Sequence, residues 1–114
     1  MTILTSIIQG LLAAMFLMAG VGKTIGSQMH KVNFDKWRLP QWFRVVTGLV
    51  ELVGAILLII GFWNSTSGIT GALLLGVTAI GGILTHLRVK DSIKDTAAII
   101  VLGILTFTLL FLLL

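Results

Sequence analysis

The sequence predicts an all-α fold: a polytopic membrane protein, an antiparallel four-transmembrane-helix bundle in a single domain, residues 1–114. Three observations predict it. Apolar side chains make up 57% of the chain and charged ones 11%, against about 25% charged in a soluble domain. The apolar residues gather in four stretches, each near the roughly 20 residues needed to cross about 30 Å of hydrocarbon. All 8 Lys and Arg side chains fall in or beside two of the connections between those stretches. A soluble domain this small keeps too much of its surface wet to hide so much apolar surface. An ordinary soluble enzyme, a nucleic-acid-binding domain and a disordered chain are therefore excluded. The formal charge of +4 reads as membrane topology rather than as a footprint for nucleic acid.

The first span is residues 3–22. Residues 1–6 carry no Lys or Arg and the apolar run is longer than a signal core, so the span is expected to remain in the mature protein. It ends at Lys23, where a cation suits the helix C-terminus. Residues 23–43 form a basic loop in which Met29, Val32, Phe34, Trp37 and Leu39 alternate with charges. Such a segment lies flat on the membrane surface or tucks back between helices. Pro40 breaks any helix there and is expected to leave Arg38 and Leu39 extended. The second span is 44–63, followed by an uncharged turn at 64–66; the third is 67–86, and after the basic loop 87–95 comes the fourth, 96–114. None of the four alternates polar and apolar as a strand would, and in lipid only helices or closed barrels satisfy the backbone.

With four spans, both long loops share one side. Lys23, Lys31, Lys36, Arg38 and Arg44 lie in or beside the first, and Arg88, Lys90 and Lys94 in the second. The other side has no Lys or Arg. The bias predicts that loops 23–43 and 87–95 are cytoplasmic and both termini outside. Trp37, Trp42 and Phe43 then sit at the cytoplasmic interface and Trp63 at the outer one. Gly68, Ala72 and Gly76 recur at four-residue spacing down the third span, a small-residue stripe that packs helices closely. It serves either within one bundle or between two copies in a homo-oligomer.

The chain has no cysteine, which excludes disulfides, thiol redox pairs, iron–sulfur clusters and covalent c-type haem. His30 and His86 are the only histidines, with no second ligand at helical spacing, so no metal site is expected and haem is not expected either. Met15, Met18 and Met29 read as packing. Gly22-Lys23-Thr24 has the end of a phosphate-binding loop, but Leu17 stands where that motif needs glycine and no strand precedes it. The serines lie near span ends or in loops, outside any nucleophile motif.

Two polar features stand out. Glu51 lies seven residues inside the second span, about 10 Å from its start. A carboxylate there is costly and faces the bundle interior or a cavity. It anchors a ligand or relays protons, or else it is a structural partner of Lys23 or His86. The run from Thr85 to Asp91 brings His86, Arg88, Lys90 and Asp91 to the same end of the bundle. Lys23, Glu51, His86 and Arg88 are the candidate ligand-binding groups, with Trp37 and Trp42 near the mouth, suited to a quinone carbonyl, an anion or a lipid head group. The plainer reading makes Arg88 and Lys90 topology determinants and a helix stop.

These residues resemble a known pattern. Phe16, Gly20 and Lys23 close the first span. Leu39-Pro40 and Phe43 precede the second, which carries Thr47-Gly48 and Glu51-Leu52-Val53-Gly54, and the Thr85–Asp91 run closes the third. Together they resemble the DoxX-like family of small four-helix membrane proteins, over nearly the whole chain. The resemblance implies the four-helix fold and the bacterial plasma membrane. Its matching positions are Gly20, Lys23, Pro40, Gly48, Glu51, Gly54 and His86. Relatives include small membrane subunits of a thiosulfate:quinone oxidoreductase, and a distant animal branch is similar to a receptor-assembly chaperone.

The expected function is a small integral-membrane subunit that binds a quinone or another lipophilic ligand. It would be accessory to a membrane oxidoreductase complex, not a stand-alone enzyme. Electrons would come from a soluble or membrane oxidoreductase partner on the basic face. The alternatives are a non-catalytic assembly factor or scaffold and, third, a small transporter.

Overall fold

The computed structural model describes residues 2–114. It contains α1 (Ile3–Ile25), α2 (Gln28–Lys36), α3 (Gln41–Ile60), α4 (Ser65–Arg88) and α5 (Ile93–Leu113), with no strand among the described residues. α1, α3, α4 and α5 are each long and apolar enough to cross a membrane. They close into a ring in that order, each antiparallel to the next, with α5 meeting α1 less extensively than the other pairs meet. The ends of the ring differ. One carries all the Lys and Arg side chains (the basic end), while the termini and the α3–α4 turn form the uncharged end.

Helix starts follow ordinary capping chemistry. The Thr2 hydroxyl accepts from the Thr5 N–H, Asn64 from Ser67 and Ser92 from Asp95, each satisfying an N–H that has no partner inside its helix. The stops are equally local. Gly26 takes a left-handed φ of 79° to end α1, and the Ser27 N–H returns to the Gly22 carbonyl. Arg38 (φ 59°) ends α2 and Lys90 (φ 58°) ends α4 in the same way. In both, the residue beyond the left-handed one, Leu39 or Asp91, bonds back to Phe34 or His86. Left-handed backbone costs a side-chain-bearing residue about 1–2 kcal/mol, so packing must hold these two turns.

These details correct the expected conformation of Arg38 and sharpen two segments whose layout the sequence left approximate. Arg38 is left-handed, not extended, because it serves as the stop of α2. The basic loop holds a nine-residue helix, α2, packed against α1 and α3. The second span runs from Gln41 to Ile60 and not over 44–63, because Pro40 caps its start and Gly61 to Trp63 already turn toward α4.

The seam between α1 and α3 is the most extensive in the bundle. A Cβ at Gly48 would lie 2.6 Å from the Thr24 hydroxyl and 2.9 Å from the Gly20 carbonyl, so the two backbones touch with no side chain between them. Each end of the seam is tied by a side chain. Leu58 has lost its helical partner, since the Phe62 N–H turns to Ile59 instead; the buried Gln9 amide donates to that Leu58 carbonyl at 2.7 Å. At the basic end the Arg44 guanidinium donates to the Lys23 carbonyl and, at 2.7 Å, to Gln41 Oε1. Arg44 is only 8% exposed. It is a cap on the C-terminus of α1 and not merely a loop charge.

The apolar core of Leu12, Phe16, Leu58, Leu75 and Leu109 fills the half of the bundle toward the uncharged end. Gly68, Ala72 and Gly76 are buried in the bundle: Gly68 against Gly61, Gly76 against the Phe107 ring. Residues such as Ile7, Met18, Val53, Leu73 and Ile104 stay exposed; an apolar face this large belongs in lipid.

Because Gly48 faces backbone, Gly48→Ala is expected to cost about 1–3 kcal/mol by overpacking. Thermal unfolding in detergent checks this against Gly81→Ala, where a new Cβ meets nothing within 4 Å and no loss is expected.

Candidate functional site

The basic half of the bundle is hollow. A cavity of about 480 Å³ lies there, lined from all five helices. Its walls are largely apolar and aromatic: Phe16, Phe34, Trp37, Phe43, Val46, Val50, Ile99 and Leu102. α2 closes it toward the basic end with Asn33, Phe34 and Trp37. A second hollow of about 550 Å³ between α4 and α5 is lined by Ile83, Ile104, Phe107 and Phe111. It is a groove on the lipid face, and its one hydroxyl, that of Thr108, already donates to the Ile104 carbonyl.

The deepest polar group is an ion pair. Glu51 is the eleventh residue of α3, about 15 Å along the helix, and Lys23 is in the last turn of α1. Lys23 Nζ meets Glu51 Oε1 at 2.6 Å, with the side chains 16% and 4% exposed. Two charges taken out of water survive only by pairing, and here the close Gly20–Gly48 contact brings their helices together. Glu51 Oε2 has no hydrogen-bond partner among the described residues and borders the cavity.

Nearer the mouth, Asp91 is a hub. Its carboxylate accepts from His86 Nδ1 at 2.7 Å and Trp37 Nε1 at 3.2 Å, and pairs with Lys36 Nζ at 3.1 Å. Lys36 also reaches Asp95, at 3.9 Å. The Lys36 ammonium, helped by the His86 and Trp37 bonds, holds the Asp91 carboxyl below the usual aspartate range. An ionised Asp91 requires the proton of a neutral His86 on Nδ1 and leaves Nε2 as an acceptor. The Trp37 and His86 rings meet edge-on, their centroids 5.0 Å apart. Arg88 donates to the Trp37 carbonyl. Every tie between the end of α2 and the α4–α5 turn is thus made by side chains.

Of the six candidate residues, Lys23, Glu51, His86 and Trp37 line the cavity. Arg88 and Trp42 do not. Arg88 is turned to the backbone of Trp37, and Trp42 is 67% exposed, stacked edge-on against Phe43, because it falls on the outward face of α3. The sequence reading missed Lys36, Asn33, Thr47, Thr78 and Asp95, and treated Asp91 as one more charge. The signal for Asp91 was its place just after Lys90, whose left-handed turn folds it back beside His86. His30, in the lining, is held below its ordinary value by burial and by the positive charges of Lys23 and Arg44.

Residues 7–109 match the DoxX-like family, a stretch that includes every residue of the cavity. The chain belongs to the DoxX-like family. The chain is similar to the uncharacterized protein YdgD of Bacillus subtilis (strain 168), 30% identical over 83 residues that cover 72% of this chain and 73% of that one. No solved structure matches.

Removing one partner of the buried pair strands the other charge. Lys23→Ala and Glu51→Ala are each expected to cost about 3–5 kcal/mol, and the double variant less than their sum; detergent unfolding of the three variants checks this. His30 supplies a pH dependence. Its folded value lies below the ordinary 6.5, so the unfolded chain takes the proton first. The stability it contributes is full above pH 6.5 and is lost as the pH falls through the lower folded value. His30→Gln should flatten the unfolding midpoint over that window.

Proposed function

We propose that this DoxX-like protein binds a lipophilic ligand, with a quinone-type ring as the leading candidate, in the cavity at its basic end. It acts as an accessory subunit of a membrane oxidoreductase complex, not as a stand-alone enzyme. One observation carries the reading: an aromatic-walled space inside the bundle that ends on a buried Lys23–Glu51 pair. Ligand sites combine apolar walls with a few placed polar groups in this way. A ring and its tail would lie along Phe16, Phe34 and Phe43, with the polar head between the ion pair and His86. A quinone bound there would supply the electron-accepting chemistry. The chain's own part is to hold the ring and, through His86 and Glu51, to exchange protons at its oxygens.

The charge bias supports placing the basic end in the cytoplasm and both termini outside, in a bacterial plasma membrane. Lys31, Lys36, Arg38, Arg88 and Lys90 are exposed there and suit an acidic face on an electron-donating partner. The scaffold reading has less support, because Gly68, Ala72 and Gly76 are already consumed inside the bundle.

The test is to purify the protein in a mild detergent, record its absorption spectrum and identify extracted small molecules by mass spectrometry. Glu51→Gln and the cavity-bordering Gly81→Phe are run beside it. A stoichiometric lipophilic molecule that both variants lose is the expected result. No bound molecule, in protein that also fails to take up an added short-chain quinone, would sink the proposal.

A further inference from the structure

The polar atoms left facing the cavity are mostly of one kind. The hydroxyls of Thr47, Thr78 and Thr85, all in the lining, donate back to the carbonyls of Phe43, Leu74 and Gly81 at 2.8, 2.9 and 2.9 Å. Their hydrogens are used, so toward the cavity they offer lone pairs only. Glu51 has spent one oxygen on Lys23, and Oε2 remains as an acceptor. His86, with Nδ1 committed to Asp91, presents an unprotonated Nε2 while it is neutral. Against these five acceptors stand the remaining Lys23 N–H groups, with Asn33 and His30 nearer the mouth. At the inner end the charges cancel, Lys23 against Glu51, while at the exposed edge a single Lys36 faces both Asp91 and Asp95. A charged head at the inner end would enter a poorly solvated space whose only two charges are already spent on each other.

We infer that the cavity selects an uncharged lipophilic molecule that donates hydrogen bonds, namely a hydroxyl-bearing ring, over one that only accepts them. This rests on the reading of the cavity as a ligand site and narrows it. Of a quinone couple, the quinol, with two O–H donors, is held more tightly than the quinone. A quinone carbonyl finds the Lys23 N–H groups but leaves Glu51 Oε2 and His86 Nε2 facing its own lone pairs, and buried acceptors without donors are costly. A site arranged around a substrate hydroxyl rejects the analogue that lacks it much more strongly than an apolar pocket rejects a missing methylene.

The experiment uses the full chain in lipid nanodiscs and four probes with the same decyl tail: para-decylphenol, its methyl ether para-decylanisole, decanoate and decyltrimethylammonium. Trp37 lines the cavity, so tryptophan fluorescence and the thermal midpoint both report binding. The expected result is that the phenol binds at least about tenfold more tightly than its ether and that neither charged probe competes. Equal binding of phenol and ether would overturn donor selection while leaving the cavity a ligand site. Preference for decanoate or the ammonium probe would overturn the uncharged head. Binding of none of the four would overturn both this inference and the site it rests on. Glu51→Gln places an amide where the free carboxylate oxygen was, and the phenol-to-ether ratio should fall toward one. Should that variant fail to fold, Thr78→Val removes one acceptor without touching the ion pair and should lower the ratio. A phenol-to-ether ratio unchanged from the parent's in Thr78→Val would count against the inference.

Discussion

The seam between α1 and α3 is the constraint on which the rest depends. In lipid an unpaired carbonyl finds no water, so one freed inside the bundle must be met by protein. Here the two helices meet each other's ends: Gln9 on α1 serves the Leu58 carbonyl near the end of α3, and Arg44 on α3 serves the Lys23 carbonyl near the end of α1. Between these ties the backbones touch at Gly20 and Gly48. That contact sets the depth at which Lys23 reaches Glu51. Had either glycine carried a larger side chain, the helices would separate and the two charges would be left apart in a medium that tolerates neither alone. The ion pair is therefore a consequence of the packing as much as a contributor to it.

The hollow half follows from the same seam. Helices pinned together at α1–α3 and packed through Leu58, Leu75 and Leu109 toward the uncharged end have no comparable side chains toward the basic end. There glycine, threonine and the ion pair stand among the aromatic and branched side chains of the lining. Gly81, Gly82, Thr47, Thr78 and Thr85 are too small to fill the space. α2 makes up for this only at the rim, with Phe34 buried and Trp37 leaning on His86. The cavity is what remains when small and polar residues occupy inward positions of a bundle whose other half is filled by leucine.

Much of this was legible in the sequence, and the parts that were not share a cause. The four long helices, their antiparallel order and the gathering of Lys23, Glu51 and His86 at one end follow from apolar run length, charge bias and depth, which need no partner to be seen. Trp42, expected near the mouth, and Arg88, weighed as a ligand group against a topology determinant, fall outside the lining, because depth alone does not say which way a side chain points around the helix. Gln9 was overlooked because an amide in a span has no charge to draw the eye, yet its burial is complete. Arg44 was counted as topology because its partner is a backbone carbonyl, which no residue letter records. The α2 helix was hidden because its pattern is weak, and its stop depends on a left-handed arginine, which propensity argues against.

The two ends of the cavity differ in a way that bears on any proton chemistry within it. The inner end is fixed: Lys23 and Glu51 are bound to each other and shielded from water. The mouth is adjustable, since His86 sits between Asp91, which is held ionised by Lys36, and the cavity itself. Protonation of His86 turns Nε2 from acceptor to donor without breaking the Nδ1–Asp91 bond. Under the proposed function, this is the arrangement by which the imidazole would exchange a proton with a bound head while Asp91 keeps its ring in place. Asp91 is in turn held by Trp37 and Lys36, so the orientation of His86 depends on α2 being closed. The orientation of His86 and the attachment of α2 over the cavity thus rest on one carboxylate.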